Sequence, residues 1–93
     1  MEIKNSRDLK AALRAGPYAW PGGYPVYFIA SDGEALSYKA VKENYKEVLR
    51  AVREQDDYGW RVIAVDVNWG EYDLYCAHTG ERIESAYGDW MEG

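Results

Sequence analysis

From Ser37 to Gln55 the residues Val41, Tyr45, Val48, Leu49 and Val52 recur at the helical period, which predicts one long helix over about residues 38–55 with these side chains on one face. That face requires a sheet to cover it. A period of two governs Trp60 to Trp69: Ile63, Val65, Val67 and Trp69 line one face, while Val62 and Ala64 give way to Asp66 and Asn68 on the other. The pattern predicts a strand buried throughout on its first face and only at its start on the second. Val26–Ala30 reads as a strand, turned at Asp32-Gly33 into a short return through Ala35-Leu36. Tyr72–Cys76 and Arg82–Ala86 read as two further strands, separated by a turn over residues 77–80.

A short helix is predicted over residues 6–15. Asn5 or Ser6 caps it, Asp8 sits in its first turn, and Gly16-Pro17 stops it, leaving Leu9, Ala12 and Leu13 as a narrow apolar stripe. The element order is then α-β-β-α-β-β-β, a single α+β domain with a small antiparallel sheet packed by the long helix and flanked by the short one. Residues 17–25, PYAWPGGYP, form an aromatic, Pro- and Gly-rich loop; the rings of Tyr18, Trp20 and Tyr24 are expected to cover the core. The tail, residues 87–93, reads as frayed, with Trp90 able to tuck back onto the sheet.

Ninety-three residues suffice for one modest core. The N-terminus is charged and amphipathic rather than a signal peptide, and no apolar run is long enough to span a bilayer, so a soluble protein of the cytoplasm is expected. The lone cysteine, Cys76, excludes an internal disulfide. Net charge is −5, unevenly divided. Residues 1–53 hold nine Lys or Arg against six Asp or Glu, and residues 54–93 hold two against ten, balances of +3 and −8. An acidic second half disfavours nucleic acid there and favours a basic partner.

Signatures of common chemistry are missing. The chain has no GxGxxG, P-loop, HExxH or GxSxG, and Cys76 and His78 stand at i, i+2 in a turn, a spacing that seldom aims a thiol and an imidazole at each other. A non-enzymatic protein is expected, with a packed cysteine and a solvated histidine. The segment Cys76-Ala-His-Thr79-Gly80 has the shape of a C-x-x-C-G metal knuckle whose second cysteine is threonine, and Ser37-Tyr-Lys-Ala40 stands where another C-x-x-C would pair with it. Zinc requires four ligands, which Ser37, Ala40 and Thr79 do not supply. No structural metal and no cofactor are predicted, and packing with hydrogen bonds is expected to hold the helix start against the last hairpin.

GPYAWPGGYPVYFIASDGEALSYKAV, GWRVIAVDVNW and DLYCAHTGERIESAY resemble a group of small proteins encoded by phages and mobile elements, many of which keep both cysteine pairs. The likeness spans about residues 7–87 and implies a zinc-ribbon-like pair of hairpins, here without the metal. Small acidic phage proteins without catalytic machinery are often inhibitors of bacterial defence, anti-CRISPR proteins among them. The resemblance therefore implies an inhibitor whose partner is a basic protein surface, such as that of a CRISPR surveillance complex. Carboxylates of the acidic half suit such a surface. The candidate contact residues are Asp56, Asp57, Tyr58, Trp69, Glu71, Tyr72, Asp73, Glu81 and Glu84, with Asp66 and Asp89 as further acids. Best placed are Asp56-Asp57 beside Tyr58 and Glu71-Tyr72-Asp73 beside Trp69, since an aromatic anchor in a charged rim is the usual anatomy of a hot spot.

Two alternatives use other surfaces. Lys39, Lys42, Lys46, Arg50 and Arg53 advance by three or four residues and form a basic stripe able to follow a phosphate backbone, diluted by the i, i+4 pairs Lys39–Glu43 and Arg50–Glu54. A small structural or scaffold protein would instead make its contact through the aromatic loop 17–25.

Overall fold

The computed structural model describes residues 1–19, 22–56, 59–70 and 73–86. Trp20, the tail with Asp89 and Trp90, and the candidate contacts Asp57, Tyr58, Glu71 and Tyr72 lie outside the described residues. The fold is a small α+β arrangement of three helices and a four-stranded, mostly antiparallel sheet. In chain order the elements are α1 (Ser6–Ala15), β1 (Tyr18–Ala19), β2 (Tyr24–Ala30), β3 (Ala35–Ser37), α2 (Tyr38–Glu43), α3 (Tyr45–Glu54) and β4 (Val62–Val67). No helix among the described residues is long and apolar enough to cross a membrane.

β2 is the centre. It pairs with β4 along one edge and with β3 and the two-residue β1 along the other. Asp32-Gly33 closes the β2–β3 hairpin as its sequence implies: Gly33 takes φ 88°, Ala30 N–H donates to Glu34 O at 2.9 Å, and Asp32 Oδ1 accepts from Glu34 N–H. Beyond β4 the N-terminal residues add a further pairing. Ile3 N–H donates to Ile63 O at 2.8 Å, Val65 N–H donates to Met1 O at 2.9 Å, and Ile3 is buried.

The helices cover one sheet face. Phe28, Ala30 and Leu36 from the sheet pack with Leu9 and Ala12 of α1, Ala40 and Val41 of α2, and Val48 and Val52 of α3 in one hydrophobic core. The predicted stripe of the long helix is thus the core face, with Tyr45 and Leu49 at its margin. The helix itself is not continuous. It breaks at Asn44, whose φ of −110° and ψ of 33° leave the helical basin and whose side chain donates to Ala40 O at 2.9 Å. An asparagine amide that competes for a backbone carbonyl is a known interrupter of helices.

Strict alternation fails along β4. Ala30 pairs with Val62 but Ile29 pairs with Ala64, so Ile63 is an extra residue at a bulge. The bulge lets Val62 and Val65 both face the helices and turns Ile63, expected to be buried, toward solvent. Asn68, expected on the solvated face, is instead 1% exposed, and Trp69, expected on the buried face, is 46% exposed.

The predicted strands 72–76 and 82–86 do not form a ladder among the described residues. Only the bridge Tyr75–Arg82 remains, with Ile83 N–H donating to Leu74 O and Cys76 N–H to Glu81 O. This hairpin is fastened at two points, where Ala77 N–H donates to Ala35 O at 2.9 Å and Ala86 N–H to Asn68 O at 2.8 Å. The element order therefore departs from the expected one: β1 is added, the long helix is halved, and the last two strands reduce to a bridge. A zinc-ribbon-like pair of hairpins is not the architecture observed.

Candidate functional site

The two ends of β2 and β4 carry different chemistry. At the end where β2 begins and β4 finishes, Tyr24 rests its ring on Trp69, with centroids 4.6 Å apart and planes tilted by 53°. Tyr24 is 36% exposed and Tyr18, beside it in β1, is 40% exposed. These rings therefore stand on the surface instead of covering the core. Gly22 makes the arrangement possible, because a Cβ there would fall inside the Tyr24 ring.

The same end is acidic. Tyr18 Oη donates to Glu84 Oε2 at 3.0 Å across 66 residues of sequence. That hydrogen bond raises the pKa of the phenol, and the charge of Glu84 and partial burial act in the same direction. Glu84 is positioned through its backbone: Asn68 Nδ2 donates to Glu84 O at 3.0 Å, and Asn68 N–H donates to Pro25 O at 2.9 Å. The buried Asn68 thus ties together the ends of β2, β4 and the last hairpin. Asp66 is exposed in β4 two residues before it.

At the opposite end, the degenerate knuckle is an ordered turn. Gly80 N–H donates to Cys76 O at 2.8 Å, Gly80 takes φ 74°, and Glu81 N–H donates to Thr79 Oγ1. Burial pushes the Cys76 thiol pKa up. The Thr79 hydroxyl and the backbone N–H groups of Ser37, Thr79 and His78 outweigh it, and the thiol lies below its ordinary value. Ser37, at a position where the resemblance implies a metal ligand, uses Oγ to cap α2 by accepting from Ala40 N–H at 3.0 Å. Hydrogen bonds therefore join helix start and knuckle. Among the described residues no cluster of three or more His, Cys, Asp or Glu could hold a metal ion.

His78 is not simply solvated. Its ring stacks on Trp60 at 3.8 Å and 10°, and its Nε2 lies 3.1 Å from Gly59 O. The imidazole is engaged by Gly59 and Trp60, and the Cys76 thiol by Thr79 and main-chain donors.

The structure divides the expected contact set. Trp69 and Glu84 meet at the aromatic end. Asp56, half-buried where its N–H donates to Ala51 O, lies by Trp60, and Glu81 belongs to the knuckle, so both are at the far end. Six-residue β4 stands between, roughly 20 Å of strand. Asp73 is exposed at the start of the hairpin. Lys39, Lys42, Lys46, Arg50 and Arg53 are all exposed, and Arg50 Nε pairs with Glu54 at 3.2 Å as the spacing implies. α1 packs beside α3 and adds Arg7, Lys10 and Arg14 to the outer surface of the helical layer.

Sequence reasoning had Tyr18 and Tyr24 as core cover and missed their union with Trp69. The available signal was Gly22-Gly23 before Tyr24, since adjacent glycines permit a close approach of a ring to the backbone. No family model matches the chain, and comparison with curated proteins and with solved structures yields no similar protein.

Proposed function

We propose that this protein works by occupancy, as a phage-encoded inhibitor of a bacterial defence complex of the anti-CRISPR kind, using the Tyr18–Tyr24–Trp69–Glu84 end as its contact surface. The observation that carries the reading is the exposed Tyr24–Trp69 pair set beside a carboxylate that Tyr18 holds in place. Aromatic rings at the centre of a contact supply large rigid area, and a cation–π or charge-assisted pair with Arg or Lys suits a rim of this sign. The partner surface is accordingly basic, of the type that otherwise holds phosphates. The excess of acid in residues 54–93 steers encounter with such a surface and disfavours nucleic acid at this end.

The test is target-DNA binding by a purified type I CRISPR surveillance complex, with and without the protein. Loss of DNA binding with the native protein, restored by Trp69→Ala or by Glu84→Lys, is the expected result; a hot-spot ring is worth at least about 2 kcal/mol, or roughly thirtyfold in affinity. Undisturbed DNA binding with no co-elution rejects this target class. A second reading, contact of the helical layer with a phosphate backbone, is favoured by the row Arg7, Lys10 and Arg14 beside the stripe of α2 and α3. Salt-sensitive retention on duplex DNA, lost on reversing Arg7, Lys10 and Lys46, distinguishes it.

A further inference from the structure

Beside the aromatic pair, the helix-side face of the sheet runs on past the cover that α1 provides. Val26 continues the row of Phe28 and Ala30, and Val65 and Val67 lie across from Phe28 and Val26. Phe28 and Ala30 are fully buried, whereas Val26, Val65 and Val67 are only half-buried. Between them and the last turn of α1 lies an apolar groove of about 260 Å³, lined by Ala12, Ala15, Tyr18, Val26, Val65 and Val67. A cavity of about 150 Å³ accommodates benzene, so this groove accepts an entire Leu, Met or Phe side chain. The small residues Ala12 and Ala15 of α1 are what leave the space.

Resting on the reading above, we infer that the groove receives an aliphatic or aromatic side chain of the partner protein that is flanked in its own sequence by Arg or Lys. Tyr18 lines the groove and its hydroxyl holds Glu84, so apolar and anionic elements share one residue. A carboxylate has two oxygens and about four acceptor sites, and Tyr18 uses one of them, which leaves Glu84 able to take a guanidinium or ammonium. The same charges argue against a second copy of the chain as occupant. A two-fold contact across this patch would set Glu84 and Asp66 of one protomer near those of the other, without cations to separate them.

The experiment uses the full chain, isotope-labelled, titrated with the capped tripeptide Arg-Leu-Arg and followed by NMR. Saturable shifts of the Val65 and Val67 methyls and of the Trp69 indole are expected, at least about fivefold weaker with Arg-Gly-Arg or Glu-Leu-Glu, consistent with losing one apolar anchor or one charge pair. Ala15→Trp, on the exposed end of α1, fills the groove and should abolish the methyl shifts; Ala15→Leu should weaken them, and circular dichroism checks that both variants fold. Equal shifts from all three peptides overturn the inference. So do dimerisation that Ala15→Trp abolishes, or contacts in the free protein from the Trp20 or Trp90 indole to Val65 and Val67 that peptide does not displace. Inhibition of the surveillance complex that survives Ala15→Trp would reject the groove and keep the inhibitor, whereas peptide binding without any effect on that complex would keep the groove and reject the target.

Discussion

Asn68 holds Glu84 by its main chain: the buried Nδ2 donates to Glu84 O at 3.0 Å and to Ile83 O at 3.4 Å, while Asn68 O accepts from Ala86 N–H. One side chain therefore docks the strand ends and the last hairpin to each other. Asn68→Ala strips two carbonyls of their buried donor and is expected to cost about 1–3 kcal/mol. Asn68→Asp should cost more, because it faces a carboxylate toward those same oxygens. A lowered urea midpoint together with faster amide exchange at Ala86 checks the prediction; an unchanged midpoint would show that the staple carries no weight.

Gly22 and Tyr24 give a separate handle on the aromatic pair. A Cβ at residue 22 overlaps the Tyr24 ring, and a ring gives way more readily than backbone, so Gly22→Ala should swing Tyr24 off Trp69. The loss in stability is expected to stay within about 0.5–1.5 kcal/mol, the worth of one aromatic pair. Near-ultraviolet dichroism should change far more than the melting temperature. If the spectrum is unaltered, the ring pair does not depend on the missing Cβ.

Sequence pattern made much of the core legible and little of the surface. The stripe of Val41, Val48 and Val52 and the turn at Asp32-Gly33 are local signals, and both stand where they point. Asn44 was hidden because a helical period survives a one-residue break: Asn44 N–H still donates to Ala40 O at 3.1 Å and Val48 N–H to Asn44 O at 3.0 Å. The bulge at Ile63 was hidden for the opposite reason, since an extra residue inverts alternation without changing composition. Asn68 looked like a solvated position because its partners lie 15 and 16 residues onward, in a hairpin whose docking no local pattern encodes. For the same reason the acidic residues read as one surface, although β4 separates Asp56 and Glu81 from Glu84.

Glu84→Gln tests the anionic partner of Tyr18. The phenol is held above its ordinary value of about 10 by the hydrogen bond to Glu84, by that residue's charge and by partial burial. Removing the charge should lower the Tyr18 pKa toward the ordinary value, read from the Cζ resonance of labelled tyrosine. The linkage runs in one direction. With the native value raised, the contribution to stability is complete below about pH 10 and is lost as pH climbs through the Tyr18 value. Glu84→Gln should therefore flatten that alkaline loss, and a Tyr18 titration unmoved by the substitution would exclude the pair as its cause.

Thr79→Val tests the knuckle. Burial of Cys76, which is 2% exposed, raises its thiol pKa, yet the Thr79 hydroxyl and three backbone N–H groups bring it below the ordinary value. A lowered native value means that the unfolded chain keeps the proton longer, so stability from this group is present above the ordinary thiol value of about 8.5 and is lost as pH falls through the native one. Valine cannot donate to sulfur, so the thiolate absorbance near 240 nm should appear at higher pH and the gain in stability across that window should shrink. The Thr79 hydroxyl also accepts from Glu81 N–H at 3.2 Å, and its loss leaves that donor to water. Thr79→Ser keeps both hydrogen bonds and should retain the native titration. If valine and serine behave alike, the hydroxyl is not what favours the thiolate, and the N–H groups of Ser37, His78 and Thr79 must suffice.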